Sequence, residues 1–308
     1  MLTDIKHLVL EGGGTRCTWQ AGFISALQQK STFKPDVIWS VSASSAVACA
    51  IASARLESAV QCFKSCIADN KKNIYWSRLF KNRRIFPQAT IYRKALLKTF
   101  DQPAVDALHL GPEVQVLITR TCPSLPGYSG VFAGLSIRAL SVLSRRQQLP
   151  RLLAQFGFSK EFISAKECRT PAELADLVLA SSCTPPVTPL YSFHGRTALD
   201  GGLMESIPMS GLTEQRGTTL VLRTTARSNG LKPQPGLKCV GPSEEPRVAS
   251  WDYAKPATID YLYGLGQKDG AEFVRSQASR LTHVVSGGRV SFGKPISSCS
   301  AKRRKLLE

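Results

Sequence analysis

The sequence predicts an α/β protein with a mainly parallel central sheet. Two observations carry this. Short apolar runs alternate with helical patterns from the first residues onward, as parallel strands joined by helices require. The 308 residues are 43% hydrophobic and 20% charged, enough apolar material for a sizeable core. That composition excludes a disordered polyelectrolyte, a collagen-like repeat and a disulfide-stapled mini-protein. No internal repeat or low-complexity segment is found.

His7-Leu8-Val9-Leu10 reads as a strand, Glu11 to Thr15 as a glycine-rich turn and Cys17 to Lys30 as an amphipathic helix. Val37 to Val41 is a second strand, and Ala43 to Ala54, a run of small residues, a buried helix. Further helices are expected from Glu57 to Asp69 and from Ala89 to Phe100, with a basic, aromatic and weakly periodic stretch, 71–87, between them. Val114 to Arg120 is a strand, 122–134 a loop, and 136–156 holds one or two short helices. Pro171 opens a helix to Ser182, since proline suits a first helical position, and Pro185, Pro186 and Pro189 stop it. Thr197 to Leu199 and Thr218 to Thr224 are strands, and 228–246, rich in Pro and Gly, is a loop. A helix over 257–280, a weak strand near 289–292 and a basic tail complete the chain.

Three segments carry possible chemistry. Gly12-Gly13-Gly14-Thr15-Arg16 lies between a strand and a helix, where backbone amides and the helix dipole favour an anion or a transient oxyanion. It is not a dinucleotide fingerprint, because Cys17 stands where the third glycine belongs and no acid ends the second strand. Ser40-Val41-Ser42-Ala43-Ser44 reads equally as a nucleophile elbow or as a serine-rich helix cap. Asp200-Gly201-Gly202, after an apolar strand, is either a carboxylate presented at the sheet edge or an ordinary turn.

Taken together and in this order, the three segments resemble the patatin-like phospholipase family, with its GGGxRG-type turn, GxSxG elbow and DG[GA] motif. The run Ala180-Ser181-Ser182-Cys183-Thr184-Pro185 before the aspartate and the late glycine-rich stretch 263–270 extend the likeness, which covers roughly residues 5–225. The resemblance implies a three-layer α/β/α sandwich and a lipid acyl hydrolase of phospholipase A or lysophospholipase type. It implies one domain over 1–308, with a catalytic core of about 5–225, a helical segment of about 250–285 and a basic tail, 300–308. It makes Ser42 the nucleophile, Asp200 its base, and the amides of Gly12, Gly13, Gly14 and Thr15 the oxyanion hole, with Arg16, Gly201 and Gly202 in support. No cofactor or metal is expected. Ser40, Ser44 and Cys17 depart from the pattern; a positive φ at 40 or 44 would strain the elbow, and a weakly active or non-catalytic lipid-binding member is the alternative. The order Ser42, Asp200, His283 also fits a triad, against which stands a structural role for that histidine.

Forty Lys and Arg against 22 Asp and Glu give a net charge of +18 and point to an anionic partner. Residues 71–98 hold nine cations and no acid, interleaved with Tyr75, Trp76, Phe80, Phe86 and Tyr92; 114–160 is a second basic stretch. Docking on an anionic membrane through Lys71, Lys72, Trp76, Arg78, Lys81, Arg83 and Arg84 is expected, against a merely solvated face. Nucleic acid is disfavoured because no recognition motif accompanies the charge. Nine cysteines, an odd number without CxxC spacing, read as free thiols, and Cys62 and Cys66 as buried ones rather than a metal pair. No Sec-type leader or membrane-spanning run is read, so a cytoplasmic, peripherally membrane-associated protein is expected.

Overall fold

The computed structural model describes residues 4–81, 83–121, 149–212, 217–226 and 234–286. The loop 122–134, residues 136–148, the strand near 289–292 and the tail 300–308 lie outside them.

The chain forms a mixed α/β structure with a central, mostly parallel sheet flanked by helices. The elements are β1 (Ile5–Leu10), α1 (Cys17–Lys30), β2 (Val37–Val41), α2 (Ser44–Ala52), α3 (Leu56–Ala68), α4 (Gln88–Thr99), α5 (Gln102–Leu110) and β3 (Glu113–Arg120). There follow α6 (Leu149–Gln155), β4 (Ser159–Ser164), α7 (Pro171–Ser181), β5 (Tyr191–Phe193), β6 (Arg196–Asp200), β7 (Thr218–Leu222), β8 (Leu237–Val240) and α8 (Pro256–Ser286).

The sheet runs β5-β6-β3-β2-β1-β7-β8, with β4 also paired to β3. Contacts between β1, β2, β3, β7 and β8 are parallel; β4, β5 and β6 are antiparallel. One detail of register builds the site. β2 pairs with β3 as far as Val41↔Leu117, while β6 begins its pairing with β3 at Ile118↔Asp200. β4 occupies the opposite edge of β3 over Gln115 to Arg120, so β2 and β6 share the remaining edge end to end. The last residues of β2 and β6 therefore meet.

Strand alternation sorts the apolar residues by face. Leu8, Leu10, Ile38, Val114, Val116, Leu220 and Leu222 join the large core with α1, α2, α3, α4, α5 and α7. On the other face Val9, Trp39 and Val221 pack with Phe162, Ile207 and Met209, and Leu199, Leu203 and Met204 with Leu153 of α6, a thinner cover. The three layers are unequal.

Helix α8 lies against α1 backbone to backbone. A Cβ on Gly22 would fall 2.1 Å from the Tyr263 carbonyl oxygen, and one on Gly266 2.1 Å from that of Trp19. Only glycine permits the crossing, which explains the late glycine-rich stretch. Trp19 Nε1 donates to the buried Asp269 carboxylate at 2.8 Å and ties the two helices.

The predicted boundaries of α1 and β2 coincide with those found, and α7 carries the capping box of Thr170 and Glu173 in front of Pro171. The expected loop 228–246 instead contains β8, a four-residue strand on the edge of the sheet. Half exposed and short, it leaves no alternation to read. β5, three residues long, went unread for the same lack of length, and β4 and α5 were not read either. The basic stretch 114–160 is not a uniform surface. Arg120 is 1% exposed and bonds the Glu161 carboxylate and the carbonyls of Phe193 and Arg196, so it staples β3 to β4, β5 and β6. Hydrogen bonding from Arg120 in turn holds Glu161 below the usual carboxylate range.

Among the described residues no helix is long and apolar enough to cross a membrane. Seven cysteines there are free, with Cys66 buried and Cys62 half-buried, and no cluster of potential metal ligands is found.

Candidate active site

The site lies at the carboxyl ends of β1, β2 and β6, where an open parallel sheet leaves a crevice. β2 ends at Val41, and α2 begins at Ser44. Ser42 between them has φ 59°, a left-handed backbone that an L-residue adopts at a cost of roughly 1–2 kcal/mol. The strain falls on Ser42 and not on residues 40 or 44. Both flanking serines are hydrogen-bonded in place. Ser40 Oγ donates to the Gln115 carbonyl, and Ser44 Oγ accepts from the Val41 amide and lies within bonding distance of the carbonyls of Leu10 and Val41. Ser44 thus stitches β1 to the elbow and is not a helix cap.

Two partners hold Ser42. Its amide donates to Ser181 Oγ at 2.8 Å, and its hydroxyl donates to Asp200 Oδ2 at 2.7 Å. Ser181 itself donates to the Leu117 carbonyl at 2.7 Å, which anchors the elbow to β3. The other oxygen of Asp200, Oδ1, accepts the Gly202 amide at 2.7 Å. Gly201 packs against the Leu117 carbonyl.

The turn after β1 is built differently. The amide of Gly12 donates to the Ser206 carbonyl at 2.9 Å and that of Thr15 to the Ser250 carbonyl at 2.9 Å. The Gly14 amide makes no hydrogen bond to another backbone group among the described residues, the Gly13 amide faces the Cys17 thiol, and both residues line the cleft beside Ser42. Gly14 has φ +60°, and a Cβ there would fall 2.0 Å from the Ser250 carbonyl oxygen. Arg16 donates to Ser250 Oγ at 2.9 Å, so it fastens the turn to the segment before Trp251. Cys17 needs no glycine: its φ is −62°, and burial pushes its thiol well above the usual range.

The cleft measures about 400 Å³ and is bounded by Gly12, Gly13, Gly14, Arg16, Ser42, Asp200, Gly202, the 183–187 segment and Trp251. Behind Gly14 and Ala43 lies an apolar chamber of about 80 Å³ between α1, α2, α3 and α4, walled by Ala46, Ala50, Phe63, Leu96 and Tyr253. The small residues of α2 leave this space open. A narrow throat lined by Ser42, Ala43 and Tyr92 lies between the two. Cys183 in the cleft wall is a poor competitor for Ser42, because burial pushes its thiol up to about 11 and keeps it protonated near neutral pH.

The structure brings Ser42, Asp200, Gly12, Gly13, Gly14, Arg16 and Gly202 together around one cleft. Thr15 turns to the chamber, and Gly201 sits behind the aspartate. Lys71, Lys72, Trp76, Arg78, Lys81, Arg83 and Arg84 belong to a separate surface segment. His109 bonds the Cys168 carbonyl and His194 stacks on Phe193; neither they nor His7 line the cleft. His283 lies near the end of α8. Unread in the sequence were Ser250, Ser206 and the buried Glu11, which accepts from the Thr224 amide and pairs with Arg223. Ser181 did leave a signal, since it stands in the run before the aspartate.

Fold and constellation together define an α/β protein with a serine and an aspartate hydrogen-bonded in one cleft at the carboxyl ends of its strands. Patatin-like phospholipase, as a sequence family, matches residues 8–213, and the chain belongs to that family of lipid acyl hydrolases. No curated protein matches the chain. Among solved structures it is similar to VipD from Legionella pneumophila, at 12% identity and a TM-score of 0.42, over 86% of this chain and 67% of that one.

Proposed function

We propose that the protein hydrolyses carboxylic esters of phospholipids or related lipids, with Ser42 as nucleophile and Asp200 as its base in a dyad without histidine. The observation that carries this reading is the 2.7 Å hydrogen bond from the Ser42 hydroxyl to Asp200, made in a cleft that the Gly13 and Gly14 residues also line.

In the mechanism, Ser42 Oγ attacks the ester carbonyl carbon and its proton passes to Asp200 Oδ2. The carbonyl oxygen becomes an oxyanion, stabilised by the amides of Gly13 and Gly14; one such donor is typically worth on the order of 10²–10³ in rate. Collapse breaks the ester bond, and the leaving alcohol takes the proton from Asp200. Water then attacks the acyl-serine, Asp200 takes its proton, and the fatty acid departs as Ser42 recovers the proton. The Gly202 amide on Oδ1 keeps the carboxylate oriented while Oδ2 exchanges its proton. The apolar chamber suits the first carbons of the acyl chain and the wider cleft the alcohol portion. A single domain is supported by the close packing of α8 along α1.

An anionic bilayer is the partner that carries such a substrate. Supporting this, Lys71, Lys72, Lys81, Arg83 and Arg84 are exposed around Trp76, at 65%, and Phe80, at 90% exposure. Arg78 lies over the Tyr75 ring at 4.1 Å.

A fluorophosphonate probe tests the catalytic reading. Wild type is expected to label at Ser42 and to release fatty acid from mixed phospholipids. Ser42→Ala should neither label nor turn over, and Asp200→Asn should lose on the order of 10³-fold in kcat. Full turnover in Ser42→Ala would overturn the assignment, and loss in His283→Ala equal to that in Asp200→Asn would overturn the dyad.

A further inference from the structure

A second depression lies beside the cleft, between α4 and the segment before β5. It is a wide groove of about 530 Å³ lined by Arg84, Arg93, Lys94, Lys98, Leu97 and Tyr191, and none of its lining residues is acidic. Arg93 is ion-paired with Asp176. Arg84, Lys94 and Lys98 make no ion pair or side-chain hydrogen bond among the described residues. Three uncommitted cations around a half-apolar depression form a concentrated positive field with an anion-sized space inside it.

The groove is attached to the catalytic cleft at both ends of the basic segment. At its start, Asn70 Nδ2 donates to the Tyr253 carbonyl at 2.7 Å, and the Tyr253 amide donates to Asn73 Oδ1 at 2.8 Å, next to Trp251 of the cleft wall. At its end, Gln88 Nε2 donates to the Asn73 carbonyl, and Ala89 lines both the groove and the throat behind Ser42. Arg84 and Tyr191 line the groove together. Between these anchors the short 3-10 helix Trp76–Lys81 exposes Trp76, Leu79 and Phe80 by 65%, 63% and 90%. Such an apolar edge flanked by cations suits the boundary between lipid headgroups and acyl chains.

We propose that the groove of Arg84, Lys94 and Lys98 binds the phosphate of an anionic phospholipid headgroup in the bilayer, and so holds the membrane against the rim of the cleft while Trp76 and Phe80 insert. The inference rests on the lipid-surface reading but concerns binding alone, and its test is independent of turnover. Cations clustered in the groove give a directed contact, which net charge alone does not.

The experiment compares three proteins by co-sedimentation with vesicles of equimolar phosphatidylcholine and phosphatidylglycerol, and with phosphatidylcholine alone. Wild type should bind the anionic vesicles and not the neutral ones. The variant R84Q/K94Q/K98Q should lose about tenfold or more in affinity, given what each basic group contributes near an anionic surface. A control, K30Q/K34Q/K268Q, removes the same charge from exposed positions outside the groove and should bind as wild type. Circular dichroism and the thermal midpoint verify that both variants fold. Equal binding by wild type and the groove variant, or equal loss in the control, overturns the proposal. Inorganic phosphate that binds the groove at matched ionic strength yet leaves vesicle binding unchanged would mark a free-phosphate site and overturn the bilayer headgroup as occupant. Vesicle binding without ester turnover would leave the groove standing and remove the hydrolase reading; turnover with groove-independent binding would do the reverse.

Discussion

The two turns that leave β1 and β2 run side by side, yet they solve opposite problems. Each includes one residue in the left-handed region, Gly14 at φ +60° and Ser42 at φ +59°. At Gly14 the backbone amide is the proposed functional group. A Cβ there would meet the Ser250 carbonyl at 2.0 Å, so glycine is the residue that leaves the amide presentable and the neighbouring segment in place. At Ser42 the side chain is the proposed functional group, and the same backbone conformation aims its hydroxyl at Asp200. One turn avoids strain by having no side chain, and the other holds it with hydrogen bonds from the Val41 and Ser42 amides to Ser44 and Ser181.

The sharpest way to break this contrast is Gly14→Ala. The added methyl must displace Ser250, which also accepts the Thr15 amide and binds Arg16, so the Gly13 and Gly14 amides should shift. A fall in kcat/KM on the order of 10²-fold or more is expected from loss of oxyanion donors, read with a soluble ester. Retention of activity would show that the turn tolerates a side chain as its neighbour does. Next in size is Ser181→Ala, which leaves the buried Ser42 amide without an acceptor and removes a donor from Leu117. Denaturant unfolding should show a loss of about 1–3 kcal/mol, accompanied by slower turnover. Unchanged stability would mean that the elbow does not depend on that anchor. The smallest effect sharpens the contrast most directly. Ser42→Gly and Ser42→Ala should both be inactive, but the glycine variant should be more stable by about 1 kcal/mol, because only glycine relieves the left-handed strain. Equal unfolding midpoints for the two would remove strain from the account.

Much of this site could be read along the chain. Gly12 to Arg16, Ser42 and Asp200 each stand at a junction that local chemistry marks: glycines after an apolar strand, a serine before a run of small residues, an aspartate before two glycines. What replaces the usual elbow glycines was harder to judge. Ser40 and Ser44 look like strain in one dimension, yet their hydroxyls find carbonyls on β3 and β1, which sequence spacing cannot reveal. The proposed oxyanion donors could be named only as a group of four, since Gly12 and Thr15 are committed to Ser206 and Ser250, both remote in sequence. Arg120 illustrates the same difficulty for charge: it counts as one cation among many until Glu161, Phe193 and Arg196 enclose it.

The sequence alone determined the alternation of strands and helices, the order of the three chemical segments and the concentration of cations over 71–98, because these depend on residue type and local spacing. Only the tertiary structure decided that β2 and β6 end against each other on one edge of β3, which sets Ser42 2.7 Å from Asp200. Only it decided that the Gly12 and Thr15 amides are committed to Ser206 and Ser250, and that the α4 cations flank a groove beside the cleft. Those outcomes follow from pairing register and long-range hydrogen bonds between residues far apart in the chain, interactions that leave no periodic trace along it.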